Sequence, residues 1–308
     1  MKDQGHWDMA DYVNSCREAL EAVAKITGSK KVNVSAGCSG GQTATMLASK
    51  MASDKDELLG ALTLMVCVLH PKQNDIEAGS LVSENGLALA KHRAAKKGVI
   101  KGDDLARGFA WLRPNDLIWN YVINNYLLGQ DPPAFDVLFW NADATNLSGA
   151  LMGDFLTVFE TLAFTKKGEV EMVDHKIDLS KVTSDLFILG GVTDHITTWK
   201  ATYRSTQLFG SKDVTYVLSH SGHMQAILNP PGNPKAKYYI QGDGEKKLPA
   251  TADEWLKGTE EVAGSWWPYW IDWVQTRSGK KKKAPAKLGT KQYAPIDAAP
   301  GQYVLESC

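Results

Sequence analysis

Apolar and polar positions in the N-terminal part of the chain predict a helix, a strand, a second helix and a second strand. Apolar side chains recur at helical spacing over residues 8–26, and Gly28 follows as a helix-ending residue. A short β-prone segment at residues 32–34 leads into a glycine-rich turn and a helix-compatible stretch over residues 42–52. The nearly continuous apolar run at residues 59–69 is typical of a parallel strand buried on both faces.

The pattern changes after Pro71. Residues 72–181 are richer in tryptophan, asparagine, glycine and proline, and most of their segments have a helical pattern, which indicates an insertion. Strand–helix alternation then resumes, with strands expected at residues 186–191 and 214–219, a helix at 200–209, a turn or short helix at 223–228 and a tryptophan-rich helix at 252–277. This alternation predicts a parallel α/β sheet whose functional loops lie at the carboxyl ends of the strands.

Three segments follow from this division. We expect residues 1–71 to begin the α/β core, residues 72–181 to form a helical cap, and residues 182–308 to complete the core and end in a surface tail. The tail holds Lys280–Lys283, interpreted as a solvated charge run, with attraction for phosphate groups as the alternative. Core packing against the sheet is the expected role of a helically spaced group of tryptophans, namely Trp255, Trp266, Trp267, Trp270 and Trp273.

Composition narrows the class of protein. With 44% hydrophobic and 22% charged residues, the 308-residue chain can bury a large core and is neither disordered nor collagen-like. Its 34 Lys+Arg and 35 Asp+Glu residues leave a net charge of -1, which argues against a nucleic-acid partner. The N-terminus lacks a signal-peptide core, no apolar run is long enough to span a bilayer, and the 4 cysteines have no CxxC spacing. We therefore expect a reduced, cytoplasmic protein with neither a membrane span nor a structural zinc site.

The strongest local signal is the segment Ala36-Gly37-Cys38-Ser39-Gly40-Gly41, which lies between a predicted strand and a predicted helix. It matches the Gly-x-Ser-x-Gly nucleophile elbow with cysteine in place of serine and Ala36 in the first glycine position. Such a turn aims the side chain at a helix N-terminus, which favours a thiolate. The alternative is a glycine-rich turn that holds a buried cysteine.

Two further residues follow Cys38 in the order nucleophile, acid, base that α/β-hydrolases use. Asp194 follows the predicted strand LFILGG, and His223 follows the predicted strand VTYVLS, so both lie where catalytic loops belong. Each has a structural alternative, since Asp194 could cap a helix and His223 could be an ordinary loop histidine. The sequence contains no HExxH, P-loop or GxGxxG motif, which argues against metal-dependent, P-loop and Rossmann functions.

These residues stand in longer segments that resemble one enzyme family, the polyhydroxyalkanoate synthases, which polymerise 3-hydroxyacyl-CoA thioesters. The resemblance covers nearly the whole chain and is carried by AGCSGGQT, RPNDLIWNYVINNYLLGQDPPAFDVLFWNADATNL, TDHITTW, SGHMQAILNPPGNPKA and SWWPYW. The proline-rich segment after His223 is similar to that of the medium-chain-length branch, class II. The resemblance implies an α/β-hydrolase fold with a helical cap insertion, and acyltransferase activity.

The resemblance also implies roles for individual residues. Cys38 would be the nucleophile that carries the acyl chain, and His223 the base that activates it. Asp194 would either orient His223 or activate the 3-hydroxyl group of the substrate, and the backbone N–H of Ser39 would stabilise an oxyanion. No cofactor is implied, because CoA is part of the substrate and product. Three neighbours of these residues, Cys67, His195 and Gln225, are expected to line the substrate channel, and Cys67 and Gln225 are also expected to influence acyl chain length.

The implied partners are 3-hydroxyacyl-CoA, the polyhydroxyalkanoate granule in the cytoplasm, and a second copy of the chain in a homodimer. Members of the family are longer at the N-terminus, so we expect this chain to correspond to the C-terminal catalytic part, without the early strands of the sheet. Activity of the chain alone is therefore an open question.

Two alternatives remain at this stage. One is a cysteine-nucleophile α/β-hydrolase that acts on esters or lactones. The other is an inactive fragment that binds granules or a full-length synthase. The product distinguishes the first alternative, since a polymerase yields polymer and free CoA while a hydrolase yields an acid.

Overall fold

A computed structural model describes residues 2–72, 84–112, 118–132, 143–242 and 247–306. The chain divides into two compact units. The first comprises the described parts of residues 1–8, 81–156 and 297–308, and the second those of residues 9–80 and 157–296. The residues predicted to carry chemistry all belong to the second unit.

The helices and strands are numbered here in chain order. The strands are β1 Val32–Gly37, β2 Leu59–Met65, β3 Val99–Ile100, β4 Leu147–Ser148, β5 Glu171–Met172, β6 His175–Lys176, β7 Leu186–Gly191, β8 Val214–Ser219, β9 Lys237–Gln241 and β10 Thr259–Ala263. The α-helices are α1 Met9–Thr27, α2 Cys38–Ser53, α3 Glu84–Lys97, α4 Gly102–Leu112, α5 Gly149–Thr161, α6 Trp199–Ser205, α7 His223–Leu228, α8 Ala252–Lys257 and α9 Trp267–Gln275. Short 3-10 turns occur at Lys2–Gln4, Ala163–Thr165, Leu179–Lys181 and Tyr303–Leu305, and a π-helix at Val122–Leu127.

A six-stranded sheet in the order β1-β2-β7-β8-β9-β10 forms the centre of the second unit. The pairs β1–β2, β2–β7 and β7–β8 are parallel, as predicted, whereas β8–β9 and β9–β10 are antiparallel. The predicted strands at 186–191 and 214–219 are confirmed with these bounds. Every residue of β7 is buried, which agrees with a central parallel strand covered on both faces.

The tryptophan-rich helix predicted over residues 252–277 is wrong. The segment forms α8, then β10, then α9, because glycines interrupt it at Gly258 and Gly264. Gly264 has φ +104°, a conformation that favours glycine and ends the strand. The residues of β10 have weak strand propensity and pair with β9, a strand that the pattern did not reveal.

The core of the second unit combines sheet and helix side chains. Phe187, Leu189 and Val217 are fully buried and pack with Trp266 and Trp273 from the α9 segment. Phe187 lies edge-on to Trp273, with ring centroids 5.4 Å apart. The expected core role is thus confirmed for these two tryptophans.

The first unit contains α3, α4, the β3–β4 pair and the start of α5. The backbone N–H of Gly149 donates to Gly98 O at 2.7 Å, which ties the start of α5 to the loop after α3. The π-helix and its flanks carry large apolar side chains that are exposed, including Trp119, Ile123 and Leu127. The predicted cap formed by residues 72–181, and the other two segment boundaries, stay predictions.

Gly41 on α2 offers a test of packing beneath the nucleophile turn. A Cβ atom on Gly41 would lie 2.6 Å from the Sγ atom of Cys67, whereas a Cβ atom on Gly40 would meet nothing within 4 Å. We expect Gly41→Ala to lower the free energy of unfolding by about 1–3 kcal/mol through overpacking. The matched variant Gly40→Ala should be neutral or slightly stabilising, since alanine favours helix. Urea unfolding curves would measure both, and equal stabilities would refute the close packing.

Candidate active site

The turn between β1 and α2 has the geometry of a nucleophile elbow. Gly37 is extended and precedes the helix, and Cys38 is the first helical residue with φ +51°. A non-glycine residue in this left-handed region is strained, and such strain concentrates at functional sites. The turn is shorter than the sequence predicted, because α2 begins at Cys38 and not at residue 42. The glycine that the packing requires is Gly41, not Gly40.

Asp194 lies in the loop after β7, and its side chain is completely buried. Its Oδ1 atom accepts hydrogen bonds from the backbone N–H groups of Ile196 and Thr197, both at 2.9 Å. Its Oδ2 atom accepts from Thr197 Oγ1 at 2.6 Å and from His223 Nδ1 at 2.7 Å. Burial raises the pKa of this carboxyl group, but hydrogen bonds from His223 and Thr197 outweigh it and hold the pKa below 3.8. Asp194 is thus an ionised acceptor whose oxygens are already occupied.

His223 begins α7, directly after the loop that follows β8. Burial lowers the pKa of its ring, but hydrogen bonds with Asp194 and with the Cys38 side chain, together with their negative charges, raise the pKa to about 9. Nδ1 contacts Asp194, which leaves Nε2 as the ring nitrogen available to the nearby thiol. The structure therefore brings Cys38, His223 and Asp194 into one site, in which His223 and Asp194 share a hydrogen bond of 2.7 Å.

Thr197 belongs to this site and was not predicted. Its hydroxyl group donates to Asp194 and lies 3.2 Å from His223 Nδ1. The alternative role of Asp194 as a helix cap is only partly met. Asp194 does accept backbone N–H groups just before α6, but the N-cap residue of that helix is Thr198. The spacing Asp-x-x-Thr before a helix was the signal available in the sequence.

An apolar cavity of about 200 Å³ opens beside Cys38. Besides Cys38, Ser39 and Thr197, its walls include Val68, Leu69, Val158, Phe159, Phe164 and Ile196. Ser39 is the second residue of α2, where backbone N–H groups have no intrahelical acceptor. The cavity can therefore receive an apolar group next to both a thiol and free N–H donors.

The three predicted channel residues lie around the site but not among the residues that line this cavity. Cys67 is buried beneath α2 against Gly41, and burial, with the nearby charge of Cys38, raises the pKa of its thiol. Gln225 is exposed on α7, and His195 is half-buried next to Asp194. Their roles in substrate selection stay predictions.

The segment of residues 265–267, at the start of α9, stabilises the helix that carries His223. Side chains of this segment donate to carbonyl groups at the C-terminal end of α7, which have no partners within the helix. The pairs are Trp266 Nε1 with Ala226 O at 2.8 Å, Trp267 Nε1 with Ile227 O at 3.0 Å, and Ser265 Oγ with Asn229 O at 2.6 Å. Two of the tryptophans expected only to fill the core thus also fix the position of α7.

The described residues contain neither a metal-binding cluster nor a membrane-spanning helix. No group of three or more histidine, cysteine, aspartate or glutamate side chains there could hold a metal ion. No helix in that part of the chain is long and apolar enough to cross a membrane.

The fold and this site define a class of protein. The family model for the alpha/beta hydrolase fold matches residues 3–230. The chain belongs to the α/β hydrolase fold family, as the elbow, the acid and the histidine at the ends of parallel strands indicated.

The resemblance to polyhydroxyalkanoate synthases is also confirmed by curated relatives. Poly(3-hydroxyalkanoate) polymerase 1 of Ectopseudomonas oleovorans is 44% identical over 305 residues, which is 99% of this chain and 54% of that protein. Poly(3-hydroxyalkanoate) polymerase subunit PhaC of Cupriavidus necator is 34% identical over 305 residues, which is 97% of this chain and 50% of that protein. The chain thus spans about half the length of the curated relatives it matches.

Removal of the Thr197 hydroxyl group should weaken the site in a pH-dependent way. At pH 7, Thr197→Val should lower the free energy of unfolding by about 1–3 kcal/mol, because a buried carboxylate loses a hydrogen bond. The pKa of Asp194 is lowered in the fold, so its stabilisation exists above the ordinary value of 3.8 and disappears as pH falls through the folded value. The difference in the free energy of unfolding between Thr197→Val and the wild type should therefore shrink below pH 3.8. Thr198→Val is the control, since the buried hydroxyl group of Thr198 has no hydrogen-bond partner within the described residues. Urea unfolding of both variants across pH measures their free energies of unfolding, and equal losses in the two variants would contradict the role of Thr197.

Loss of the indole donors should disturb His223 through α7. We expect the double variant Trp266→Phe, Trp267→Phe to slow alkylation of Cys38 by iodoacetamide at pH 7 several-fold, because a displaced imidazole stabilises the thiolate less. Trp270→Phe is the control, since Trp270 Nε1 donates to Thr63 Oγ1 on β2. Peptide mass spectrometry would follow Cys38 separately from the other cysteines. Equal rates in the double variant and the control would show that these donors do not position His223.

Proposed function

We propose that this chain polymerises 3-hydroxyacyl-CoA into polyhydroxyalkanoate with release of CoA through an acyl group bound to Cys38. The observation that carries the proposal is the hydrogen-bonded pair His223–Asp194, with Cys38 near the imidazole ring and beside an apolar cavity. The polymerase names of relatives 44% and 34% identical supply the substrate class. Because the chain spans about half of each relative, activity of these residues alone is part of the proposal.

In the acylation step, His223 accepts the thiol proton of Cys38. The thiolate attacks the thioester carbonyl carbon, and the resulting oxyanion is stabilised by the backbone N–H of Ser39. When the intermediate collapses, the carbon–sulfur bond to CoA breaks, and His223 returns its proton to the leaving thiolate. Free CoA departs, and a thioester on Cys38 replaces the thioester of CoA.

In the elongation step, the 3-hydroxyl group of one acyl unit attacks the thioester of another. The hydroxyl proton passes to His223, an ester bond forms, and the thioester bond that is attacked breaks with its sulfur taking up the proton. Each cycle consumes one acyl-CoA and releases one CoA, so the balance needs no cofactor or metal. We therefore propose a cofactor-independent reaction.

Of the two roles considered for Asp194, the contacts support orientation of His223. The carboxylate is buried and accepts four hydrogen bonds from within the chain, which leaves it poorly placed to reach a substrate hydroxyl group. Its charge also keeps the Nδ1–H tautomer of His223 in place, so that Nε2 can exchange protons with Cys38.

We also propose that the protein acts in the cytoplasm at the surface of polyhydroxyalkanoate granules and as a homodimer. A cluster of exposed apolar side chains in the first unit supports contact with a polymer surface or with a second copy of the chain. Trp119, Ile123 and Leu127 expose 51%, 50% and 65% of their surfaces.

The test of the proposed function is turnover of a 3-hydroxyacyl-CoA by the purified chain, with CoA, polymer and free acid all measured. Cys38→Ala should abolish CoA release, and Cys38→Ser should retain a small fraction, because an alkoxide is much harder to form than a thiolate. Cys16→Ala should keep full activity, since Cys16 lies on α1 outside the site. Free acid without polymer would indicate the cysteine hydrolase instead, and turnover by Cys38→Ala would remove Cys38 as nucleophile.

Asp194→Asn gives the same assay a pH signature. In the wild type, CoA release should decline as pH rises through about 9, because His223 then lacks the proton that the leaving thiolate needs. The variant loses the hydrogen bond and charge that raise the pKa of His223, so its decline should begin at lower pH. An unshifted decline, or normal acylation with failed elongation, would instead favour direct action of Asp194 on the substrate hydroxyl group.

A further inference from the structure

A second, strongly charged cleft lies at the other end of β1. It has a volume of about 460 Å³ and lies between the end of α1, the loop that leads into β1, and the segment that follows α9. Four lysines line it, two from each side, namely Lys30, Lys31, Lys280 and Lys282. No carboxylate is among the described residues that line the cleft.

The protein neutralises only part of the positive charge of this cleft. Arg277, which also lines it, is engaged by ion pairs with Asp185 at 2.8 Å and with Asp213. The four lysines form no ion pair among the residues that the structure describes. With a net charge of -1 for the whole chain, such a cluster does not simply reflect a basic composition. Like charges held together repel, and a bound anion would relieve that repulsion.

The cleft is part of the fold, although a run such as Lys280–Lys283 would by itself suggest a solvated tail. Asn33 Nδ2 donates to Ser278 Oγ at 3.2 Å and to Arg277 O at 3.4 Å, which joins β1 to the segment after α9. Lys282 Nζ lies 3.5 Å from Gly28 O, so its side chain reaches across to the loop that carries Lys30. Tertiary contacts therefore bring two lysine pairs together that are remote in sequence.

Position separates this cleft from the candidate active site. It is lined by Val32 and Asn33 at the start of β1, whereas Cys38 follows the end of that strand. The strand has 6 residues, which at the usual rise per residue corresponds to roughly 20 Å. An anion in the cleft would therefore not contact Cys38.

We propose that this cleft binds a small anion that carries linked phosphate groups, such as the diphosphate portion of a nucleotide. Its volume lies in the range of small-molecule sites, which favours a compact ligand over an extended surface. Lysine ammonium groups are strong point charges for phosphate oxygens, and Ser29 adds a hydroxyl group to the lining of the cleft. A free nucleotide and the nucleotide portion of CoA share this chemistry.

Isothermal titration calorimetry of the whole chain with sodium pyrophosphate, ATP and CoA tests the proposal. We expect saturable binding of ATP that weakens as salt rises, and a roughly five- to tenfold loss of affinity in the double variant Lys30→Gln, Lys282→Gln. The control is Lys287→Gln, Lys291→Gln, which removes the same charge from exposed positions outside the cleft and should bind normally. Tighter binding of CoA than of ATP would identify CoA as the source, and equal binding would indicate nucleotides in general.

The proposal is wrong if none of the three probes shows saturable binding. It is also wrong if the control variant loses as much affinity for ATP as the variant Lys30→Gln, Lys282→Gln. Repetition of the ATP titration with Cys38→Ala should give the wild-type affinity. Because no acyl substrate is present, the result does not depend on whether the proposed polymerase function is correct.

Discussion

The hydrogen bond of 2.7 Å between His223 Nδ1 and the Asp194 carboxylate is the interaction on which the candidate site depends. It joins the loops after two neighbouring parallel strands, β7 and β8, and it raises the proton affinity of the ring that faces Cys38. A buried carboxylate tolerates this position only because further donors, the hydroxyl and backbone N–H groups of Thr197 among them, satisfy its oxygens. The arrangement of His223 and Asp194 thus depends on the sheet and its loops together.

The position of His223 also depends on elements far away in sequence. The helix α7 is short, and its C-terminal carbonyl groups would be unsatisfied without donors from outside. The start of α9 and the residue before it supply them through Trp267 and Trp266, and the same segment also places tryptophan rings on the core around Phe187. One group of side chains therefore packs the sheet and stabilises the helix on which the proposed base stands.

The two ends of the parallel strands differ in the charge of the residues around them. At the carboxyl ends of the strands, Cys38 lies beside an apolar cavity and an ionised, buried carboxylate. At the opposite end of β1, exposed lysines line a cleft that has no carboxylate among its described lining residues. Two chemically different surfaces on one unit are consistent with separate ligands for each.

Local patterns in the sequence determined much of this protein. The apolar runs at residues 186–191 and 214–219 became strands with those bounds, and the spacing of Cys38, Asp194 and His223 placed three side chains at strand ends. These features are readable because parallel strands and tight turns impose strict local requirements on residue type. The tertiary structure alone decided what depends on partners remote in sequence. It made β10 a strand by pairing it with β9, brought His223 onto Asp194, and turned tryptophans into hydrogen-bond donors for α7. Neither pairing nor donation leaves a local pattern, because each depends on groups that only the folded chain brings within a few ångströms.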